Sequence, residues 1–284
     1  MSLDLLTPSD GGISIAGPPA AYRGLPPSTV AEMREVLTDL DASRPRSRQT
    51  ALGPSELGTP CQRQLGMKLA NIPRQLPDAR PPWAPMQGTA IHLLMEEALK
   101  FHNAQLGRER WIIEGRLQVD HEITGSGDAY DTDYDMVVDW KHTGVTARRK
   151  ANRVRVPNEQ LVSPDYRVQA HIYGYGHARA GRPVKWVRLV LLARSHNYDD
   201  SAEWTEAYRP EIAIAALDRY YATQDLIRNL NLAANPGLWA AVPAAPGDSC
   251  DWCPFRRPGG PPDGSGCPGN TQTKQDKQLR GLIA

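Results

Sequence analysis

The chain has 284 residues, which is long enough for one domain with a substantial core. Its 33 Lys and Arg residues nearly balance its 32 Asp and Glu residues, so no overall field indicates a polyanionic partner, and any nucleic-acid contact must come from a local patch. No apolar run approaches the length of a membrane span, and the chain does not start with a basic segment followed by an apolar core. We therefore expect a cytoplasmic protein without membrane partners.

The pattern of apolar residues predicts an α/β layered core in which helices come first, strands follow, and helices and strands then alternate. Glycine and proline concentrate before residue 28 and again between residues 243 and 269. We divide the chain into a partly flexible leader with a short helix (1–50), one domain (51–270) and a polar tail (271–284). The predicted helices are Ser28–Leu40, capped by Ser28; Ser55 through Cys61 towards Leu69; Gln87–Gln105, with Ile91, Leu94, Met95, Ala98 and Leu99 as its apolar stripe; Asp165–Ala180; and Ile212–Asn231. The predicted strands are Trp111–Val119, Ile123–Ala129, Met136–Lys141, Val184–Leu192 and Glu203–Tyr208.

The segment from Gly127 to Lys141 carries the most chemistry. Val137 and Val138 favour a strand, and the Asp- and Tyr-rich stretch before them favours a hairpin turn, which would bring Asp128 close to Asp139. Lys141 falls on the sheet face of Asp139, because side chains alternate along a strand. Two adjacent carboxylates favour Mg²⁺ or Mn²⁺ between them, and a lysine beside the ion is typical of metal-dependent phosphodiesterases. The alternative is an ordinary acidic turn.

Two helical pairs flank this hairpin in the sequence. His92 lies one helical turn after Gly88, which would let a ligand or another backbone approach the helix closely, so the imidazole becomes a candidate extra metal ligand. Gln169 and Tyr173 lie one turn apart on a later helix, where they would bind a phosphate or hold the lysine in place. Alternatively, His92 is a structural histidine, and the Gln169 and Tyr173 pair is ordinary helix surface.

Six bases and no acid lie between residues 141 and 155, directly after the hairpin. Such a run is commonly a solvated surface, but this one begins where an incoming phosphate backbone would lie, which favours a DNA track with salt-dependent binding. Its central members are Arg148, Arg149 and Lys150.

Four cysteines form a second pattern. Cys250, Cys253 and Cys267 lie together in the second glycine- and proline-rich stretch, while Cys61 comes almost two hundred residues earlier. In a chain without a secretion signal, four thiols indicate a metal or iron–sulfur site rather than disulfides. Zinc is the alternative metal, and four unrelated cysteines are the alternative to any site.

Taken together, these residues resemble the RecB-like branch of the PD-(D/E)xK nuclease superfamily, and within it the iron–sulfur exonucleases of the CRISPR-associated, AddB-type and phage groups. The family has a Gly-x-x-x-His helix, then Gly-Asp, Asp-x-Lys and Gln-x-x-x-Tyr, with one cysteine upstream and three downstream. The resemblance covers roughly residues 50 to 270. The spacing from Cys253 to Cys267 is longer than the few residues usual in the family, which makes the fourth cysteine ligand less certain.

The resemblance implies a restriction-endonuclease-like core, a central mixed sheet flanked by helices, with a [4Fe–4S] cluster that joins the N- and C-terminal regions. It implies that Asp128, Asp139, His92 and the Trp140 carbonyl bind Mg²⁺ or Mn²⁺, that Lys141 orients or activates water, and that Gln169 and Tyr173 position DNA. The implied activity is a deoxyribonuclease, an exonuclease at single-stranded or free DNA ends, in a bacterium or a phage-infected host. Its expected partners act in recombination, repair or replication, and the sequence neither predicts nor excludes an oligomer.

Two other functions stay open at this point. The first is a non-catalytic DNA-binding or adaptor protein that keeps the nuclease fold, and the second is a structure-specific endonuclease. The intact set of Asp128, Asp139 and Lys141 argues against the first.

Overall fold

The computed structural model describes residues 28–44, 52–75, 82–144, 162–195 and 197–269, with the backbone alone for Glu114 and Asp248. The helices are α1 (Thr29–Ser43), α2 (Pro54–Leu57), α3 (Gln62–Leu69), α4 (Trp83–Leu106), α5 (Pro164–Arg179) and α6 (Pro210–Asn229). The strands are β1 (Trp111–Gln118), β2 (Thr124–Asp131), β3 (Met136–Thr143), β4 (Trp186–Ala193) and β5 (Ala202–Ala207). Short 3₁₀ helices cover Tyr198–Asp200, Pro236–Ala241 and Asp248–Trp252.

The five strands form one mixed sheet in the order β1-β2-β3-β4-β5. Strands β3 and β4 pair in parallel, and the other three pairs are antiparallel. A parallel pair needs a long crossover, and the segment between β3 and β4 supplies one that includes α5. The predicted α/β architecture, a mixed sheet flanked by helices, is therefore confirmed.

Helices cover both faces of this sheet. On one face α4 packs Ile91, Met95 and Leu99 against a cluster that includes Val138 and Trp140 of β3. On the other face α5 packs against β3 and β4. Helices α2 and α6 pack in turn against α5, and α3 packs against α6. Strand β4 is apolar at consecutive positions because both of its faces are covered.

The predicted helices agree with the structure except in two details. The helix predicted from Ser55 through Cys61 is two helices, α2 and α3, because Gly58 and Pro60 interrupt it and Cys61 becomes the N-cap of α3. The stripe predicted on α4 was wrong at Leu94, which is 56 % exposed, and at Ala98, which is also exposed. The packed face is that of Ile91, Met95 and Leu99, and Leu94 lies about 100° around the helix from the centre of this face.

Residues 232–269 form a separate small core beside α3. Met67 of α3 is fully buried there with Trp239, Val242 and Phe255. This packing joins the C-terminal segment to α3 near the start of the domain. No helix in the described ranges is both long enough and apolar enough to cross a membrane.

Candidate active site

A rigid hairpin carries the predicted acidic residues. Residues 132–135 turn the chain between β2 and β3, as predicted, and Asp135 adopts the left-handed backbone conformation that Asp tolerates in turns. The Asp- and Tyr-rich stretch that was predicted to form the turn includes Asp131. This residue instead ends β2, where its fully buried carboxylate accepts two hydrogen bonds from Arg110, at 3.0 and 2.7 Å. This bidentate pair fixes the base of the turn.

The two strands of the hairpin pair only near the turn. Residues 129–131 of β2 lie opposite residues 136–138 of β3, and Asp128 is the first residue of β2 beyond this pairing. Its carboxylate then takes the place of a backbone partner, since Oδ2 accepts a hydrogen bond of 2.7 Å from the Trp140 amide. Asp128 and Asp139 therefore meet, as predicted, at a fork where β2 and β3 separate. We call this point the strand fork.

Helix α4 brings His92 to the strand fork. Its Nδ1 lies 2.9 Å from Oδ1 of Asp128, so both oxygens of this carboxylate have a partner. This hydrogen bond raises the pKa of His92, and the charges of Asp128 and Asp139 raise it further. Burial and the Lys141 charge act in the opposite direction but do not cancel the rise. A Cβ at Gly88, one turn earlier, would meet no atom of the described residues within 4 Å.

Asp139 and Lys141 form a buried ion pair on the α5 side of the fork. Lys141 Nζ lies 2.7 Å from Oδ2 of Asp139, and the Asp139 residue is only 2 % exposed. Apart from this charge contact, Oδ2 accepts no hydrogen bond from the described residues. Burial raises the pKa of Asp139; Lys141 opposes the rise and Asp128 adds to it. Crowded carboxylates with one underused oxygen are suited to binding a cation.

Helix α5 holds the Lys141 side chain in place through a hydrogen bond. Lys141 Nζ donates a hydrogen bond of 2.7 Å to Gln169 Oε1, and Gln169 Nε2 donates one of 3.0 Å to the Tyr173 hydroxyl. Gln169 and Tyr173 are both 6 % exposed. The sequence left open whether this pair binds phosphate or holds the lysine, and the geometry favours holding the lysine over direct contact with DNA.

Tyr166 is a further member that the sequence analysis did not assign to the site. Its ring centroid lies 5.0 Å from Lys141 Nζ, within the range of a cation–π contact. Tyr166, Gln169 and Tyr173 follow the i, i+3, i+7 spacing of one helical face, which was the available signal. Lys141 is thus held by a carboxylate, an amide and an aromatic ring.

The donors at the fork are of the types that Mg²⁺ and Mn²⁺ accept, namely two carboxylates, an imidazole and a backbone carbonyl. The Trp140 indole is buried against α4, so only its carbonyl is a candidate ligand. No group of three or more His, Cys, Asp and Glu side chains in the described ranges is already drawn together at metal-binding distances. Arg148, Arg149 and Lys150, the predicted DNA track, lie outside the described residues.

The four cysteines line one cavity between α3 and the C-terminal segment. Burial raises the pKa of the Cys253 thiol; a hydrogen bond from the Phe255 backbone opposes the rise, and the other three cysteines add to it. All four are free thiols. The four cysteines that the sequence analysis grouped thus line a single cavity, and thiols are donors of the type that a tetrahedral metal or a cluster accepts.

Cys267 reaches this cavity because the long loop before it folds back. Its amide donates a hydrogen bond of 2.8 Å to the Phe255 carbonyl, and its carbonyl accepts one of 2.7 Å from Arg257. An ion pair between Arg257 and Asp263 closes the loop further. The long spacing from Cys253 to Cys267 thus forms a closed loop, and Cys267 lines the same cavity as the other thiols.

No protein-family model and no curated protein matches the chain. Among solved structures, it is similar to a phage-related exonuclease from Haemophilus somnus 129PT, with 13 % identity, 52 % of this chain and 71 % of that chain covered, and a TM-score of 0.38. It is also similar to the alkaline exonuclease LHK-Exo from Laribacter hongkongensis, with 14 % identity, 67 % of this chain and 96 % of that chain covered, and a TM-score of 0.43. The structure of LHK-Exo in complex with dAMP is similar at 14 % identity, with 66 % of this chain and 96 % of that chain covered and a TM-score of 0.43. Likenesses this distant carry no argument about function, which has to come from the side chains of the chain itself.

Proposed function

We propose that this protein is a divalent-metal-dependent deoxyribonuclease that hydrolyses phosphodiester bonds. The observation that carries the proposal is the convergence of Asp128 and Asp139 at the strand fork, with the amine of Lys141 held beside them. A structural ion pair would not need a second carboxylate at the same point. A hydrolytic site needs the two carboxylates to hold a cation, and it needs the lysine to place a positive charge where negative charge develops.

Each residue at the fork has a distinct part in this proposal. Asp128, Asp139, His92 and the Trp140 carbonyl would hold Mg²⁺ or Mn²⁺, which when bound acidifies water and polarises a phosphate. Lys141 orients the attacking water and offsets charge on the phosphate in the transition state. Gln169 and Tyr166 keep Nζ aimed at the fork. The Tyr173 hydroxyl in turn orients the Gln169 amide.

We further propose that the substrate is DNA with single-stranded or free ends, and that the reaction is exonucleolytic. This proposal rests on the order of the motifs and on the basic run that follows Lys141 in the sequence. Recombination, repair or phage replication would supply such ends. A structure-specific endonuclease is the second candidate, because its chemistry at the fork would be the same.

The test is digestion of end-labelled single- and double-stranded DNA, with free or blocked ends, in Mg²⁺ and in Mn²⁺. We expect degradation from free ends only, lost in Asp139→Asn and retained in Asp133→Asn. Asp133 is the matched control because it lies in the same hairpin but pairs with Arg108 at the turn. Cleavage of blocked ends would identify an endonuclease. DNA binding without any degradation by the unchanged protein would identify an adaptor.

We also propose that Cys61, Cys250, Cys253 and Cys267 bind a [4Fe–4S] cluster, with Zn²⁺ as the alternative. The shared cavity of the four thiols supports this proposal. Such a centre would hold the C-terminal segment against α3, and nothing in the chemistry at the fork calls for electron transfer. Iron, sulfide and zinc contents of protein purified without oxygen, together with its visible absorption, decide between the two. A colourless protein loaded with zinc would rule out the cluster.

A further inference from the structure

Arg63 of α3 bonds the backbone of the C-terminal segment. Its Nε donates a hydrogen bond of 3.1 Å to the Val242 carbonyl, and its Nη2 donates to the carbonyls of Val242 and Ala240 at 2.8 and 3.1 Å. Its backbone amide donates a further bond of 2.8 Å to Pro243. Residues nearly 180 positions apart in the sequence are therefore joined at one arginine.

The remaining arm of the guanidinium points at a thiol. Arg63 Nη1 lies within hydrogen-bond distance of Cys267 Sγ, at 3.6 Å. Within the described part of the chain, no carboxylate pairs with Arg63. Its positive charge is thus directed at carbonyl oxygens and at sulfur. Cys267 is also the cysteine that depends on a long loop to reach the cavity, so it has the greatest need of an added restraint.

Further contacts join the surroundings of the cavity to α3. The small core of Met67, Trp239, Val242 and Phe255 lies beside the thiols and is almost fully buried. Gln75, beyond the end of α3, adds a hydrogen bond from its side-chain amide to the Ser265 carbonyl, in the loop that precedes Cys267. Arg63 connects this core to the thiols, because the same side chain bonds both the backbone before Pro243 and the sulfur of Cys267.

We propose that Arg63 is a positioning residue for the thiol site: it holds Cys267 at the cavity and compensates the negative charge of the bound centre. This inference rests on the proposed metal or cluster. An N–H donor to a cluster sulfur raises the reduction potential of the cluster, so loss of the donor lowers it. The second consequence is that the apo protein keeps its C-terminal segment on α3.

The test compares Arg63→Gln and Arg63→Lys with Arg256→Gln. Arg256 lines the same cavity but is ion-paired with Asp251, which makes it the matched control. We expect Arg63→Gln to bind iron about 10- to 100-fold more weakly than the unchanged protein in competition with a chelator, the usual loss when a partner of a metal ligand is removed. Arg63→Lys keeps the charge, so its iron retention should fall between those of Arg63→Gln and the unchanged protein. Arg256→Gln should retain iron as the unchanged protein does. The reduction potential should drop in Arg63→Gln alone.

The same variants are compared without metal by limited proteolysis and thermal unfolding. We expect the C-terminal segment of the apo protein to resist cleavage and that of apo Arg63→Gln to be cut between residues 240 and 267. If Arg63→Gln keeps its centre as tightly and at the same potential as the unchanged protein, the proposal is wrong. If the unchanged protein holds neither iron nor zinc, the metal centre and the role of Arg63 towards it are both overturned. The apo comparison still shows whether the arginine joins the two segments.

Discussion

Replacing Gln169 with leucine tests how Lys141 is held. Leucine has a similar volume but removes the oxygen that accepts the hydrogen bond of 2.7 Å from Lys141 Nζ. A hydrogen bond to a charged group contributes about 1.5–3 kcal/mol, and 1.4 kcal/mol corresponds to a factor of ten in rate. If the loss falls on the transition state, kcat should decrease about 10- to 150-fold. The Asp139 carboxylate and the Tyr166 ring still contact the lysine, so we expect a value in the lower part of this range.

The assay is steady-state hydrolysis of single-stranded DNA over a range of DNA and Mg²⁺ concentrations, with circular dichroism to confirm folding. Because Gln169 is buried, its loss should reduce kcat and leave KM close to that of the unchanged protein. Tyr173→Phe is the graded control, since it removes only the hydroxyl that accepts from Gln169 Nε2. A neutral hydrogen bond contributes about 0.5–1.5 kcal/mol, so its effect should be about 2- to 10-fold. A raised KM with an unchanged kcat in Gln169→Leu would refute this reasoning, because it would mean that Gln169 binds DNA directly.

Three further predictions concern the fork, its hairpin and the core. His92→Gln should raise the Mg²⁺ concentration needed for half-maximal activity, without changing DNA binding measured in EDTA; equal Mg²⁺ dependence would remove His92 from the ligand set. Burial, with the Arg182 charge, lowers the pKa of His177 to about 4 in the folded protein. As the pH falls, the unfolded chain therefore binds a proton at this histidine before the folded protein does. The stability that is present above pH 6.5 is lost as the pH falls towards 4. Between pH 6.5 and 5 this loss is about 2 kcal/mol in urea unfolding, and it should be absent from His177→Phe, which keeps a ring beside Tyr130. Arg110→Met should cost about 3–5 kcal/mol, because it leaves the carboxylate of Asp131 buried and unpaired; a double variant that also carries Asp131→Leu should regain part of it, and no regain would contradict the ion-pair explanation.

The elements and the members of the site could be predicted because they depend on local patterns. The hairpin turn follows from the residues within it, and the α4, α5 and α6 helices follow from their periodicity and breakers. Asp128 and Asp139 could be brought together by pairing two strands around that turn. The break between α2 and α3 was also visible in principle, since Pro60 disfavours helical geometry at the residue before it.

What the sequence did not predict depends on contacts between distant elements. Leu94 and Met95 are adjacent apolar residues of α4, and only the position of the sheet decides which of them is buried. The buried pair of Asp131 with Arg110 requires the register of β1 against β2, in which Trp111 faces Asp131. Likewise, no spacing rule connects Arg63 with Cys267, because their contact exists only after the C-terminal segment has packed on α3.

The charge balance at the strand fork explains why Gln169 matters to catalysis as well as to packing. In the structure, Lys141 neutralises Asp139 through Oδ2, an oxygen with no other hydrogen-bond donor among the described residues. That oxygen cannot serve the lysine and a divalent ion equally, so a lysine held only by Asp139 would be free to leave when the carboxylate turned to a cation. The second contact, to Gln169 on a different helix, keeps Nζ at the fork whichever partner Asp139 has. The effect of Gln169→Leu on kcat should therefore persist at saturating Mg²⁺, whereas a defect in metal affinity alone would be rescued there.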